Sequence, residues 1–142
     1  MSSRKIRFFK EQTSFPIKNS SLLKERLLSL AAEHGYTIRA LNYIFCDDEY
    51  LLQMNEQYLR HDTLTDILTF DHSESPTTIE GDIFISAERV KENAQKFKTT
   101  FENELSRVMA HGLLHLMGYR DKTPSEKSAM RAKEEAFLTS FS

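Results

Sequence analysis

Apolar residues recur along this chain with two different periods, and the switches between them mark out its elements. Residues 5–9 read as an opening strand, and residues 22–33 carry apolar side chains at helical spacing, with Asn19 and Ser20 as start signals and Gly35 as a stop. Residues 36–46 are rich enough in β-branched and aromatic side chains to predict a second strand. Asp47 and Asp48 then offer carboxylates to the unpaired amides of a helix reaching about Tyr58. Two more strands are predicted at residues 67–72 and 82–86, joined by a Ser/Pro/Thr loop over residues 73–78. The order of the strands in a sheet is not written in this pattern.

The last third is helical. Ser86 is placed to cap a helix over residues 87–97, and Thr100 is placed to cap one over residues 101–117 that Gly118 ends. Thr123, Pro124 and Glu126 combine an N-cap hydroxyl, a proline at the first helical position and a glutamate at the third, which is a capping box. A final helix therefore runs from Pro124 to about Phe137. Residues 119–122 become a tight connection between two helices, and that connection carries Asp121. Together the elements predict one α+β domain over residues 1–142, with a small mixed sheet of about four strands packed by helices.

Composition narrows the function classes. A chain of 142 residues has room for one domain of ordinary size, and the stretch over residues 73–78 is too short to be a linker between two. Apolar residues at 39% and charged residues at 28% suit a packed core under a polar surface and argue against disorder. No apolar run approaches the roughly 20 residues of a membrane span. The first ten residues lack the apolar run and small-residue cleavage site of a signal peptide, so a cytoplasmic location is expected. Cys46 is the single cysteine and cannot form an internal disulfide; beside Ile44 and Phe45 it reads as a small buried side chain. A net charge of −2 excludes a broadly basic nucleic-acid-binding domain, so such a partner would need a local patch. Arg4, Lys5, Arg7 and Lys10, or Arg89, Lys91, Lys96 and Lys98, are the candidates, beside the ordinary reading of a solvated face.

The chemistry concentrates in His111-Gly-Leu-Leu-His115-Leu-Met-Gly118-Tyr-Arg-Asp121. Residues four apart on a helix lie one above the other, so the imidazoles of His111 and His115 can converge on one ion. Gly118 lets the chain leave the helix at low steric cost, and Asp121 follows three residues on. Two imidazole nitrogens and one carboxylate oxygen suit zinc and leave a fourth position open, as catalytic sites do. The spacing also matches the zinc helix of the metzincin proteases, but the glutamate that serves them as general base is here Gly112. Glu104 lies two turns before His111; it can orient an imidazole or take a proton through water, or be a surface carboxylate in a first helical turn. His34, His61 and His72 read as ordinary core or surface residues.

The same segment resembles the signature of the YbeY family, bacterial metal-dependent endoribonucleases implicated in ribosomal RNA maturation and ribosome quality control. Upstream, Met54-Asn-Glu-Gln-Tyr58-Leu-Arg-His-Asp62-Thr-Leu-Thr65-Asp66-Ile-Leu68-Thr-Phe70 is similar to the family's Leu-Asn-x-x-Tyr-Arg-x-x-Asp-x-Pro-Thr-Asp-Val-Leu-Ser-Phe stretch, and Gly81-Asp82-Ile-Phe-Ile-Ser86 resembles its Gly-Asp-Ile strand. The resemblance implies that His111, His115 and residue 121 hold one zinc ion per chain, at the turn after the helix. Most members have histidine where this chain has Asp121, which brings negative charge to the metal. The arginine that commonly follows the family's tyrosine is Leu59 here, with Arg60 one residue along, and the proline before Thr65 is Leu64. Asp62, Thr65 and Asp66 also have an ordinary reading as residues that turn the chain into the next strand.

The resemblance therefore implies a zinc-dependent endoribonuclease acting on single-stranded RNA, with ribosomal RNA or a ribosomal subunit as partner and Arg60 and Glu104 as candidate catalytic residues. Two other classes stay open on the sequence. One is a metalloprotease or amidase, favoured by the helix spacing and opposed by Gly112. The other is a ribosome-assembly RNA-binding protein with a structural metal, kept alive by Leu59 and Asp121.

Overall fold

The computed structural model describes residues 5–59 and 67–140. Its elements run β1 (Ile6–Glu11), α1 (Ser20–Glu33), β2 (Thr37–Cys46), α2 (Asp48–Met54), β3 (Ile67–Asp71), β4 (Thr78–Ser86), α3 (Ala87–Lys96), α4 (Phe101–Leu116) and α5 (Pro124–Thr139). The α+β domain expected from the residue pattern is what forms. Its sheet has the order β1-β2-β4-β3, with β1, β2 and β4 parallel and β3 antiparallel to β4. A mixed sheet of this kind needs helical crossovers for its parallel neighbours, and α1 supplies the one between β1 and β2.

Local chemistry explains most of the boundaries. Asp47, Ser86 and Thr100 each accept a hydrogen bond from the backbone N–H three residues on, and so start α2, α3 and α4 as their side chains predict. Thr123 and Glu126 close both halves of the capping box that begins α5. Asn19 is the exception: it stands at the start of α1 in a left-handed conformation and makes no side-chain cap. The helix expected to reach Tyr58 is α-helical only to Met54 and then widens into a π-helical turn over Asn55–Leu59. β4 starts earlier than expected, at Thr78, because Ile79 and Gly81 already point inward while Glu80 and Asp82 face out.

The two faces of the sheet bury different cores. Leu41, Tyr43, Phe45, Ile79, Ile83 and Ile85 join the inner residues of α1, α4 and α5 in the main core. On the opposite face Cys46 and Leu68 pack with Leu51, and Tyr50, Met54, Phe70 and Phe84 border them beneath α2. Cys46 is fully buried, and burial together with Asp47, Asp48 and Glu11 pushes its thiol up to about 12, so it is an inert core residue as expected.

Helix α4 is locked onto the sheet at three levels. The buried Tyr43 hydroxyl donates to the Met109 carbonyl at 2.8 Å, two residues before His111. Gly112 lies so close to the sheet that a Cβ there would meet Ile67 at 2.9 Å and Ile83 at 3.0 Å. A Cβ on Gly81 would meet the Phe70 carbonyl at 2.6 Å and Leu116 at 3.3 Å. Two glycines, one on each surface, let the helix and sheet approach, and that approach sets the height of the histidines above the sheet.

Candidate metal centre

The site is built from the exposed side of α4 and the turn behind it. Helical spacing stacks His111 and His115, whose rings meet edge to face with centroids 4.5 Å apart. Their Nε2 atoms are 3.0 Å apart, and Asp121 Oδ2 lies 3.3 Å from the first and 3.5 Å from the second.

Asp121 reaches this position because both ends of its connection are closed. Gly118 adopts φ +95°, its N–H bonds to the His115 carbonyl at 2.9 Å, and the Tyr119 N–H reaches back to Leu114 at 3.1 Å. This is a Schellman turn, which reverses the chain while satisfying the last carbonyls of α4. The Tyr36 hydroxyl donates to the Met117 carbonyl at 3.0 Å, and the Tyr119 ring packs edge to face on His34 with Lys133 over it. On the far side Glu126 accepts from the N–H groups of Lys122 and Thr123. These backbone bonds hold the Glu126 carboxyl below its ordinary value, with Thr123 first among the causes.

The donor set fits a metal ion. Zinc bonds of about 2.0–2.1 Å at tetrahedral angles place ligand atoms roughly 3.3–3.4 Å apart, close to the three separations found. Among the described residues His111, His115 and Asp121 form a cluster that could hold a metal ion, with one donor atom from each. Their side chains are 17%, 28% and 37% exposed, so the open side of the triangle faces solvent.

Glu104 does not touch this triangle. It is 2% exposed, which rules out the surface reading, and both its oxygens are held by Arg107, from Nε at 2.9 Å and from Nη2 at 2.6 Å. The carboxylate that reaches the histidine pair is Glu134 on α5, which the sequence reading missed. Its Oε2 lies 2.6 Å from His111 Nδ1, and its Oε1 accepts from Arg107 Nη1 at 2.8 Å. A signal was available: Glu134 falls between Met130 and Phe137 at helical spacing, an acid inside an otherwise buried apolar stripe. Burial pushes the Glu134 carboxyl up, but the hydrogen bonds from His111 and Arg107, with the Arg107 charge, outweigh it and bring the group below its ordinary value. The Glu104 hydrogen bonds, and after them the Glu134 one, raise Arg107 above its ordinary value.

The candidate cation Arg60 lies outside the described residues, as do Asp62, Thr65 and Asp66. Gly112, where a metzincin would carry its general base, faces Ile67 and Ile83 in the core, so the position has no room for a glutamate aimed at the metal.

Comparison with known proteins agrees with this geometry. Residues 5–142 match the family described as Endoribonuclease YbeY. Proteins of that name from Cytophaga hutchinsonii and Flavobacterium johnsoniae are 55% and 44% identical to this chain, covering 98% and 94% of it and 97% and 95% of their own lengths. The solution structure of a Thermotoga maritima protein superposes with a TM-score of 0.64 at 31% identity, over 94% of this chain and 86% of that one. With the family's sequence blocks, its domain and a converged donor triangle present in one molecule, this chain belongs to the YbeY endoribonuclease family.

Proposed function

We propose that this protein is a zinc-dependent endoribonuclease that cuts single-stranded ribosomal RNA during ribosome maturation and quality control in the cytoplasm. His111, His115 and Asp121 would hold one ion per chain. The observation that carries the reading is the donor triangle, with separations of 3.0, 3.3 and 3.5 Å, in a chain of this family. When bound, the ion supplies Lewis acidity, making water a stronger nucleophile near neutral pH and polarising a phosphoryl oxygen.

The residues themselves do the rest. Two imidazoles fixed one turn apart and a carboxylate on a closed turn hold a preformed site with one side open to a phosphodiester. Asp121 in place of the usual histidine adds a negative charge beside the reaction, which lowers the acidity of the nucleophile and favours harder ions more than three imidazoles do. Arg60 is the proposed cation for the phosphate, standing in for the arginine that Leu59 replaces. The overall charge of −2 then makes binding depend on this local cation, with a salt dependence steeper for RNA that reaches it.

The exposure of the ligands supports a catalytic site over a closed structural one, and the crowding at Gly112 speaks against a protease. Among the described residues no helix is long and apolar enough to cross a membrane. The test combines elemental analysis of wild type, His115→Ala and Asp121→Ala with single-turnover cleavage of single-stranded RNA, duplex RNA and casein, with and without chelator. Stoichiometric zinc in wild type, loss in both variants and chelator-sensitive cleavage of single-stranded RNA are expected. Absent metal, or metal content unchanged in both variants, sinks the site; RNA binding without chelator-sensitive product sinks the enzyme.

A further inference from the structure

We propose that Glu134 is a positioning residue of the metal centre: held by Arg107, its carboxylate fixes His111 with the proton on Nδ1, so that Nε2 presents its lone pair to the ion. This rests on the metal reading above.

The first argument is one of donors and acceptors. An ionised carboxylate only accepts, and a neutral imidazole has one N–H and one lone pair. The contact of 2.6 Å between Glu134 Oε2 and His111 Nδ1 therefore places the N–H on Nδ1. The lone pair is left on Nε2, the atom that faces His115 Nε2 and Asp121 Oδ2. The opposite tautomer would set two acceptors against each other at Glu134 and turn an N–H into the space where the ion belongs.

The second argument is rigidity. Glu134 does not float: its other oxygen is bonded to Arg107, and the Arg107 guanidinium is gripped along one edge by both oxygens of Glu104. Glu104, Arg107 and His111 lie at spacings of three and four on α4, so one helix carries the clamp and the ligand, while α5 delivers the carboxylate between them. Glu104 is thus connected to the ligand through Arg107 and Glu134.

The third argument is charge. Glu104 and Glu134 are each 2% exposed and share a single guanidinium, which leaves one buried negative charge in excess. A tie between α4 and α5 would be served by one carboxylate and one arginine, without a surplus charge that is costly to bury. The surplus has its counterpart on the His111 side, where a carboxylate makes the imidazole a stronger donor to a cation.

The test uses the full chain as wild type, Glu134→Ala and the near-isosteric Glu134→Gln. Zinc affinity is read by competition with a chromophoric chelator. The His111 tautomer is read in metal-free protein from ¹H–¹⁵N correlations, which report on each ring nitrogen separately. Glu134→Ala is expected to lose about 10–100-fold in zinc affinity and the Nδ1–H form, with Glu134→Gln losing less because it keeps an acceptor. Wild type and Glu134→Ala that bind zinc within about twofold of each other, with one and the same tautomer, overturn the proposal even if the variant melts earlier, since Glu134 is then only a helix tie. Should wild type bind no zinc, the metal reading fails separately. The metal-free spectra still decide: loss of Nδ1–H on removing Glu134 supports its role, and no change overturns it.

Discussion

Helix α4 has two long faces that meet different neighbours. The inner face places Leu105, Val108, Met109, Gly112 and Leu113 in the main core, where the work is done by shape and by removal of apolar surface from water. The other face carries Glu104, Arg107, His111 and His115, with Glu134 of α5 joining Arg107 to His111 in a chain of ion pairs and hydrogen bonds that ends at the open donor triangle. The inner face sets where the helix sits, and the polar face uses that position. The difference teaches that stability and chemistry on one helix are separable, so substitutions on each should read out differently.

The largest expected effect is at Arg107, which belongs to both roles. Arg107→Met leaves the buried Glu104 carboxylate without the guanidinium that holds it and Glu134 with His111 alone, and should cost about 3–5 kcal/mol in urea unfolding at neutral pH. Acid should narrow the gap. Glu134 is held below its ordinary 4.5 in the folded protein, so its stabilising contribution is present above that value and is lost as pH falls through the folded value. Unfolding at about pH 4 and below therefore weakens wild type toward the variant; an equal gap at both pH values would show that the pairing is not what stabilises this face.

A paired comparison comes next. Leu113 is fully buried, and Leu113→Ala should cost about 2–5 kcal/mol while zinc affinity per folded molecule stays unchanged. His115→Ala should do the reverse, losing bound zinc with a stability change below about 1 kcal/mol in the metal-free protein. Equal damage to both readouts in both variants would break the separation.

Gly112→Ala tests the close approach to Ile67 and Ile83 and should cost about 1–3 kcal/mol through overpacking. Gly118→Ala places a side chain at φ +95° and should cost about 1–2 kcal/mol, with weaker zinc binding because the turn that delivers Asp121 is strained. A Gly118→Ala protein that is less stable but binds zinc as wild type does would show that the turn is only a helix end. The smallest stability effect, within about 0.5 kcal/mol, is expected for the partly exposed Asp121→His. Here the readout is the pH profile of RNA cleavage, which should move to lower pH as a neutral ligand replaces a charged one.

Much of this molecule was determined by short stretches of sequence acting alone. Asp47, Ser86, Thr100 and Thr123 cap their helices through bonds three residues long, and Gly118 turns the chain through bonds to His115 and Leu114. Such contacts involve only residues close in the chain, so these four helix starts, the stacked histidines and the arrival of Asp121 were legible. Tertiary structure alone decided the strand order, the core packing of Gly112 and the partners of Glu104. It also decided that Glu134, 23 residues beyond His111, supplies the carboxylate at Nδ1. The physical reason is that a buried charge takes its partner from whichever face is packed against it, and that face is chosen by the whole core. The donor triangle is local in sequence; what holds it in place is not.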